Sequence, residues 1–448
     1  MFNRSLFIFR RDLRLRDNTG LSEAMRQSKS VLPIFIVDPT IMNQYVADYR
    51  KTFLARSLEE LDSVIQSCGG KLSILEDNPQ KVLVQLIKNA GIDAVFVNRD
   101  YSPISRHRDA RLHAVCSSAG IPFFELPDQL LNEPEHVMKN DGSPYTVFSP
   151  FYRKAKGLNV REPLDHGGWH FSSKAFGELA TSTLRRFLGR SLVLQPGLSG
   201  ASEAMAVIES LDRYGETRDL PGCTGTTHLS AHLRFGTCSI RQVFQSTLTL
   251  REPEALQRQL YWRDFYHHIG YHFPHVYGGS FRQKYDRLLW NDDPNALLKW
   301  RQGKTGFPIV DAGMRELAAT GYMHNRARMI VASFLTKNLH IDWKKGEEHF
   351  AELLIDFDPA INNGNWQWSA STGCDSQPYF RVFNPWLQQK KFDPQCRYIT
   401  RWLPELDAYP PKEIHGLEKR GDFYLPQITD LKRSAEESKR RFKTVAER

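Results

Sequence analysis

Short apolar runs alternate with amphipathic stretches over residues 1–130. The runs lie at 6–9, 31–37, 72–75, 94–97 and 123–126. The stretch at 52–66 has apolar residues at helical spacing and ends near the glycines at 69–70, a common helix stop. Buried strands that alternate with helices form parallel sheets with helices on both faces. The pattern therefore predicts a doubly wound α/β domain with a parallel five-stranded sheet.

In such sheets, ligands bind beyond the carboxyl ends of the strands. Asp12, Asp38 and the segment 98–101 lie at the carboxyl ends of three of the apolar runs. We expect these residues at the ligand-binding edge of the sheet.

The regular pattern is lost over residues 131–200, which are rich in proline, glycine and polar residues. A long stretch without periodicity is unusual inside one compact domain, so we interpret it as an interdomain connector. From residue 201 to 448 apolar residues recur every three or four positions, for example at 312–320, 323–336 and 347–354. This part is predicted to be an all-α domain, with 431–448 as an amphipathic helix or a frayed tail.

Composition narrows the class of protein. The chain has 448 residues and a net charge of +9, which is typical of a protein with an anionic partner such as nucleic acid. A basic enzyme without a nucleic acid partner is the alternative, and charge alone does not decide between the two. The 6 cysteines show neither paired nor metal-ligand spacing, so we expect reduced thiols and no metal. No signal peptide is evident, and no apolar stretch approaches the ~20 residues of a membrane span. We expect a cytoplasmic protein that does not contact a membrane.

The densest polar constellation is 356–373. A carboxylate and a carboxamide, as at Asp356, Asp358 and Asn362, can hydrogen-bond the edge of a flat heterocycle. The alternative is a polar network inside a loop between helices.

Aromatic residues interleave with Arg263, His267 and His268 in the segment 259–278. Trp262, with Trp368 further along the chain, can offer flat faces to unstacked bases, a contact worth ~1–3 kcal/mol per base. The alternative is an aromatic helix face buried in the core.

Two further segments carry candidate polar groups. Asn325, Arg326 and Met329 share a helix face by their spacing, Arg326 can hold a phosphate or a base edge, and Arg328 can pair with Asp356. Thr226, Thr227 and Ser230 follow Gly225 in a helix-capping pattern that can present free N–H groups to a phosphate. Solvated or merely structural helix starts are the alternatives in both segments.

Five segments resemble the photolyase/cryptochrome family, most closely its class I photolyases for cyclobutane pyrimidine dimers. They are FRRDLRLRDN at 9–18, NDGSPYTVFSPFYR at 140–153, TGFPIVDAGMREL at 305–317, MHNRARM at 323–329 and NNGNWQWSASTG at 362–373. The resemblance covers residues 5–408 and implies an FAD cofactor and damaged DNA as the partner of a monomeric protein. It also implies a reaction in which excited, reduced flavin donates an electron to a dimer flipped out of the duplex, which splits and returns the electron.

The resemblance assigns thirteen residues to FAD. In the family, the counterpart of Arg263 binds the flavin phosphates, those of Asp356 and Asp358 grip the isoalloxazine edge, and that of Asn362 faces flavin N5. Asparagine at this last position is typical of photolyases rather than cryptochromes. The full set is Tyr214, Thr226, Thr227, His228, Leu229, Ser230, Gln259, Arg263, Arg328, Asp356, Phe357, Asp358 and Asn362.

Electron transfer and lesion binding are implied in the same way. Trp290, Trp343 and Trp366 correspond to the tryptophan chain that photoreduces the flavin, where the residues alone would suggest three core tryptophans. Gln259, Asn325 and Met329 complete the implied catalytic set. The implied DNA-binding residues are Arg218, Trp262, Asn325, Arg326, Trp368, Arg381 and Gln388.

Two positions depart from the family pattern. Gln259 stands where dimer-specific enzymes usually carry glutamate, and glutamine there is familiar from (6-4) photolyases and animal cryptochromes. Asn325 and Met329, however, stand where (6-4) enzymes have histidines, so the cyclobutane dimer is the expected substrate. A (6-4) photolyase and a cryptochrome-type blue-light receptor are the alternatives. Ser105 replaces the glutamate of folate-binding members, which argues against folate as a second, antenna chromophore. A deazaflavin, a second flavin or an empty antenna site are the alternatives, and folate is kept as a third chemical choice.

Overall fold

Five short apolar segments form one parallel sheet in the computed structural model. They are β1 (Ser5–Phe9), β2 (Val31–Val37), β3 (Ser73–Glu76), β4 (Ala94–Asn98) and β5 (Phe123–Leu126). The strand order is β3-β2-β1-β4-β5, and Ser5 is in register with both Val31 and Ala94. Every residue of β1 and β4 is buried, as expected for central strands covered on both faces. The predicted five-stranded parallel sheet is confirmed.

The structure describes residues 1–42, 44–45, 47–165, 168–176, 181–420 and 423–447. They divide into two compact units. We call Met1–Tyr145, Ser149–Asp212 and Thr227–His272 the sheet unit, and Thr146–Phe148, Arg213–Thr226 and Phe273–Arg448 the helical unit. The predicted domain boundaries at residues 130 and 200 concern functional domains, whereas the two units are defined by packing alone. These boundaries therefore stay a prediction.

Helices alternate with the strands of the sheet. They are α1 (Thr19–Gln27), α2 (Pro39–Met42), α3 (Asp48–Ser67), α4 (Pro79–Ala90) and α5 (Pro103–Ser118). Asn18, Asn78 and Ser102 cap three of them by accepting backbone N–H groups, and proline follows the latter two caps. Local sequence signals therefore fix where these helices begin.

The loops after the strands carry a buried polar network within the sheet unit. Arg14 donates to Asp128 at 2.6 Å, while Arg241 donates to Asp128 and to Asp17, both at 2.8 Å. Asp12 accepts from Asn98 at 2.5 Å. The carboxylates at this edge therefore neutralise arginines and fasten loops.

The predicted connector contains more regular structure than its sequence indicates. The helices from there to residue 272 are α6 (Phe148–Lys156), α7 (Thr181–Phe187), α8 (Gly197–Ala206), α9 (Tyr214–Thr217), α10 (Ser230–Phe235), α11 (Ile240–Thr247) and α12 (Glu254–His272). In α6, Phe151, Tyr152 and Ala155 are buried. The expectation of an irregular segment was wrong here, because tertiary packing stabilises helices too short to stand out by periodicity.

The regular elements among the described residues beyond 272 are all helices. The α-helices are α13 (Pro294–Arg301), α14 (Pro308–Thr320), α15 (Asn325–Ser333), α16 (Trp343–Leu353), α17 (Pro359–Ala370), α18 (Pro385–Phe392), α19 (Arg397–Trp402), α20 (Pro411–Ile414), α21 (Leu417–Arg420) and α22 (Leu431–Ala446). A π-helical turn, Phe334–Asn338, continues α15. The core includes Trp300, Phe307, Trp343, Trp366 and Trp386. The all-α prediction is confirmed over the described part of the chain after residue 201, which contains no strand.

No described helix is both long enough and apolar enough to cross a membrane. All six cysteines lie in described segments and are unpaired.

Candidate functional site

The predicted partnership between Arg328 and Asp356 is confirmed. Arg328 on α15 donates from NH2 to Oδ2 of Asp356 at 2.8 Å and from NH1 to Oδ1 at 3.1 Å. Its Nε donates to the carbonyl oxygen of Met323 at 2.8 Å. Burial acts to lower the pKa of Arg328, but the charge and hydrogen bonds of Asp356, together with the charges of Tyr322 and Glu316, raise it above its ordinary value. A charged pair therefore fixes the turn that leads into α17.

Asp358 has a structural role that the sequence did not indicate. Its Oδ1 accepts from the backbone N–H groups of Ala360 at 3.0 Å and Ile361 at 3.2 Å, which makes it the N-cap of α17. The side chain is buried. Asp358 thereby orients the helix that carries Asn362 and Trp366.

One face of α17 is used for packing. Asn363 donates to the carbonyl oxygen of Val276 at 2.9 Å, and Gln367 donates to the carbonyl oxygens of Val276 and Gly279, both at 3.1 Å. Phe281 N–H donates to Gln367 at 2.7 Å. These bonds hold the turn at 276–281 against α17 within the helical unit.

Asn362 and Trp366, four residues apart, share another face of α17. Asn362 donates to the carbonyl oxygen of Glu347 at 3.1 Å. Trp366 is 2% exposed, and its Nε1–H has no hydrogen-bond partner among the described residues. Buried donors are almost always paired, so an unused one is consistent with a bound group at this place. The donor set of this face fits a flat heterocyclic cofactor.

Glu347 on α16 is a carboxyl group that the sequence reasoning missed. It accepts from Asn363 at 3.0 Å. Burial raises the pKa of Glu347 to about 7, although the hydrogen bond from Asn363 and the charge of Lys344 both act to lower it. The run KKGEE at 344–348 resembles a solvated helix face, so no local signal distinguishes this glutamate.

A cavity of about 430 Å³ lies in the helical unit. It brings together three predicted DNA-binding residues, Arg326, Arg381 and Gln388, with Lys391 beside them. Its remaining lining residues are Glu216, Asp219, Leu220, Phe383 and Phe392. Three cations against two carboxylates make the wall suited to an anionic ligand.

Arg326 is held in this wall by neighbours of two kinds. NH2 pairs with Oδ2 of Asp219 at 2.8 Å, and the guanidinium lies 4.2 Å from the ring centroid of Phe392. Arg218 is next to the same carboxylate, 3.8 Å from Oδ1 of Asp219, but it does not line the cavity. On the same helix, Asn325 Nδ2 lies 3.7 Å from Met329 Sδ, as their helical spacing predicted.

The predicted phosphate-binding turn at 227–230 belongs to the sheet unit and differs from expectation. Leu229 is the N-cap of α10 and no side chain caps the helix. The hydroxyl of Thr227 instead accepts from Leu229 N–H at 3.3 Å, and His228 has a left-handed backbone with φ of 53°. The predicted hydroxyl cap was wrong because the threonine bonds within its own turn.

On α12, also in the sheet unit, Arg263 donates to the carbonyl oxygen of Gln129 at 2.6 Å. Its neighbour Asp264 accepts from Leu131 N–H at 2.8 Å and from Asn132 N–H at 3.2 Å. Burial raises the pKa of Asp264 to about 7, against the opposing charge of Arg263. This arginine is thus held in place by the loop that follows the sheet.

The other predicted residues of α12 are divided between core and surface. His267 and His268 are buried, which favours the core interpretation for that part of the aromatic face. Trp262 is half-buried, with Phe265 and Tyr266 both at a centroid distance of 5.6 Å. Gln259 donates to the carbonyl oxygen of Ala255 at 3.2 Å within the helix.

Trp290, Trp343 and Trp366 all lie in the helical unit. Trp343 and Trp366 are buried, whereas Trp290 is half-buried and has its indole 6.4 Å from the ring centroid of Phe442. Trp300, which the sequence reasoning did not select, contacts Trp366 edge-on at 6.2 Å. Its Nε1 donates to the carbonyl oxygen of Val331 at 3.0 Å, so it has the ordinary features of a core residue.

The remaining predicted residues of the helical unit are Tyr214, Thr226, Phe357 and Trp368. Tyr214 is 8% exposed, with the Arg218 guanidinium 5.8 Å from its ring. Phe357 packs on the helical core, and Trp368 is half-buried on α17. Thr226 hydrogen-bonds Tyr322, a half-buried tyrosine whose ring lies 5.6 Å from the Arg328 guanidinium and which the sequence reasoning also missed.

The fold and the polar groups along α17 indicate a flavin-binding class of protein, and the comparison with known proteins agrees. Residues 5–166 match the family described as DNA photolyase, and residues 256–444 match the FAD binding domain of DNA photolyase. A deoxyribodipyrimidine photo-lyase from Synechococcus sp. is 39% identical over 91% of this chain and 89% of its own length.

Two solved structures share the fold. A bacterial class III photolyase from Agrobacterium tumefaciens matches with a TM-score of 0.93 and 33% identity, covering 100% of this chain and 98% of that one. An archaeal photolyase from Sulfolobus tokodaii with two FAD molecules matches with a TM-score of 0.88 and 37% identity, covering 98% of this chain and 100% of that one. The chain belongs to the DNA photolyase family and carries that family's FAD-binding domain.

Proposed function

We propose that this protein is a light-driven enzyme that splits cyclobutane pyrimidine dimers in damaged DNA with bound FAD. One helix carries the proposal. On α15, Arg326 lines the cationic cavity, and Arg328, two residues on, holds Asp356 ahead of α17. Helix α15 would thus contribute one residue to the DNA-binding cavity and another to the cofactor site. The name of the Synechococcus relative, a deoxyribodipyrimidine photo-lyase, supports the same substrate.

The side chains around the cavity would bind DNA by charge. Arg326, Arg381 and Lys391 are suited to phosphate oxygens, and Gln388 can hydrogen-bond a sugar or base edge. Extruding a dimer from the duplex costs little compared with an intact pair, because a dimer stacks and pairs poorly. Asp219 competes with DNA for Arg326 and would moderate binding to undamaged duplex.

FAD, when bound and reduced, supplies the electron that light drives onto the dimer. The protein's own residues would hold and enclose that cofactor. The pair of Arg328 and Asp356 would form one edge of the cofactor site, and Asn362 would offer its carboxamide to the flavin. The buried indole of Trp366 would keep water away from the side of α17 that faces the cofactor. We further propose that Tyr214 and Thr226, also in the helical unit, contact the cofactor's phosphates and ribose.

A second, antenna chromophore belongs to the proposal, with deazaflavin, flavin and folate as the chemical choices. The Sulfolobus protein, which holds two FAD molecules, supports a flavin. The absorption spectrum of the purified protein distinguishes the three choices.

The experiment that tests the function uses two oligonucleotides, one with a single cyclobutane thymine dimer and one with a single (6-4) lesion. We expect light-dependent restoration of the first strand only, measured by chromatography against a dark control. Repair of only the (6-4) strand would favour the alternative suggested by Gln259. A flavin that photocycles without repair of either strand would instead indicate a blue-light receptor.

A further inference from the structure

Lys337 is a buried amine with no evident role in the site. It lies in the π-helical turn Phe334–Asn338 and is 0% exposed. Its Nζ has no hydrogen-bond partner among the described residues. Lysine is almost never fully buried without a partner, so this position calls for an explanation.

The amine lies against an aromatic cluster that includes Trp290. Nζ is 3.5 Å from the ring centroid of Phe442 on α22. Trp290 meets the same ring edge-on at 6.4 Å, and Tyr379 stacks on it at 5.9 Å. Phe442 is therefore in contact with both the amine and the outermost of the three implied electron-transfer tryptophans.

Hydrogen bonds fasten the surrounding backbone. Asn291 N–H donates to the carbonyl oxygen of His340 at 2.7 Å, and Arg441 donates to the carbonyl oxygen of Leu289 at 2.9 Å. Asn338 donates to the Ser434 hydroxyl at 3.0 Å. The turn with Lys337, the loop with Trp290 and helix α22 are thus tied together around the amine.

The charge state of the amine follows from these surroundings. A nearby aromatic face attracts an ammonium ion, but it replaces only part of the hydration that burial removes. Burial accordingly holds the pKa of Lys337 well below its ordinary value. Burial without a hydrogen-bond partner therefore favours the uncharged amine, and documented buried lysines regain the proton in mild acid.

Other titratable groups surround the turn. His340 follows it, Glu437 and Arg441 pair with each other on α22, and Tyr285 and Tyr379 contact Phe442. Helix α16, which contacts the turn, has the titratable residues Lys344, Lys345, Glu347, Glu348, His349 and Glu352 along its length. On α15, Arg326 and Arg328 are paired with Asp219 and Asp356. Helix α17 has no charged residue. Lys337 differs from these groups because its amine is fully buried and touches Phe442, the ring against which Trp290 packs.

We propose that Lys337 is a positioning residue that controls electron supply through Trp290, permitting it as a neutral amine and opposing it when charged. The proposal rests on the proposed function, which uses Trp290, Trp343 and Trp366 to reduce the flavin. In that sequence one electron leaves the indole of Trp290 and passes inward through Trp343 and Trp366. Trp290 is left with a positive charge until a soluble thiol returns an electron to it. A second positive charge across Phe442 raises the energy of that oxidised indole in a medium of low dielectric constant.

The test compares wild type, Lys337→Met and Lys337→Arg, each loaded with oxidised FAD and illuminated with dithiothreitol as the electron source. Methionine is unbranched and uncharged and is only one heavy atom shorter than lysine, while arginine carries a permanent charge. We expect photoreduction of Lys337→Met within about twofold of wild type and that of Lys337→Arg slowed at least about tenfold. Lys439→Met, an exposed substitution on α22, is the matched control. Equal rates for Lys337→Arg and wild type would overturn the proposal, as would an equal slowing of Lys337→Met.

A pH series keeps the proposal testable if Lys337→Arg does not fold. The photoreduction rate of wild type, divided by that of Lys337→Met, should fall as the pH is lowered from 8 to 5. A ratio that stays constant over this range contradicts charge control, because a purely packing role does not titrate. Repair by chemically reduced enzyme is recorded for every variant. A wild type that takes up flavin but repairs no dimer would overturn the proposed function, while the rate ratio still decides the role of Lys337.

Discussion

Arg328 and Asp356 meet through two parallel hydrogen bonds, at 2.8 and 3.1 Å, and Asp356 precedes the cap of α17 by two residues. Removing one partner of this half-buried pair leaves the other charge partly uncompensated, at a cost of about 2 kcal/mol. We expect Asp356→Asn to lower the free energy of unfolding by about that amount and to reduce FAD occupancy. Denaturant unfolding and the flavin-to-protein absorbance ratio measure both effects. Glu348→Gln, an exposed change on α16, should alter neither, and an unaffected Asp356→Asn would mean that the pair is dispensable.

Asp358 offers a way to separate capping from cofactor binding. Asp358→Ala should destabilise the protein by about 1 kcal/mol, since α17 loses its cap. Asp358→Asn keeps a capping oxygen and should recover most of that loss. If FAD affinity follows stability through both variants, the residue acts by capping alone. A loss of FAD affinity in the stable Asp358→Asn protein would show that the carboxylate charge itself is needed.

Arg326 and Asp219 should have opposite effects on DNA. Arg326→Gln removes one phosphate contact, so we expect the affinity for dimer-containing DNA to fall about tenfold. The slope of log affinity against log salt concentration should become shallower by about 1. Asp219→Asn frees the arginine and should raise affinity. Fluorescence anisotropy over a range of salt concentrations measures both changes. Arg440→Gln, on the exposed face of α22, serves as the control, and equal weakening by that variant would place the DNA footprint elsewhere.

Trp366 and Trp300 lie in contact, yet only one belongs to the implied electron route. Phenylalanine is not readily oxidised, so Trp366→Phe should abolish photoreduction of the flavin. Repair by chemically reduced enzyme should persist. Trp300→Phe should photoreduce at nearly the wild-type rate and lose about 1 kcal/mol of stability with its bond to Val331. Transient absorption measures the rates, and slow photoreduction in Trp300→Phe would place that residue in the route.

The burial of Lys337 also predicts that the stability of the protein depends on pH. Its pKa is well below the ordinary value of 10.5 in the folded protein, so the unfolded chain binds a proton that the folded one lacks. Stability therefore rises with pH through the window between the two pKa values, by up to about 1.4 kcal/mol per pH unit. Lys337→Met removes this proton uptake and should raise Tm at pH 7, with a gain that shrinks towards pH 10. A gain of equal size at both pH values would contradict a neutral buried amine.

Local sequence patterns predicted much of the fold. The five strands lie within a residue or so of the apolar runs, and the apolar segments at 312–320, 323–336 and 347–354 are helices with somewhat different ends. Periodicity reports which face of an element is buried, and this depends on neighbours along the chain. The same local reasoning was wrong for the cap of α10 and missed α6, because contacts with distant residues outweigh weak local signals there.

The sequence by itself determined the classes of element, the family resemblance and the pairing of Arg328 with Asp356. Only the tertiary structure decided which polar groups would be buried. Glu347 stands in a run that resembles a solvated helix face, and Lys337 stands beside residues with ordinary helical spacing. The first is covered by α17, and the second by α22, which returns from far along the chain. Burial depends on such returning segments and shifts the pKa of an ionisable group, so these two side chains have properties that no local pattern of residues encodes.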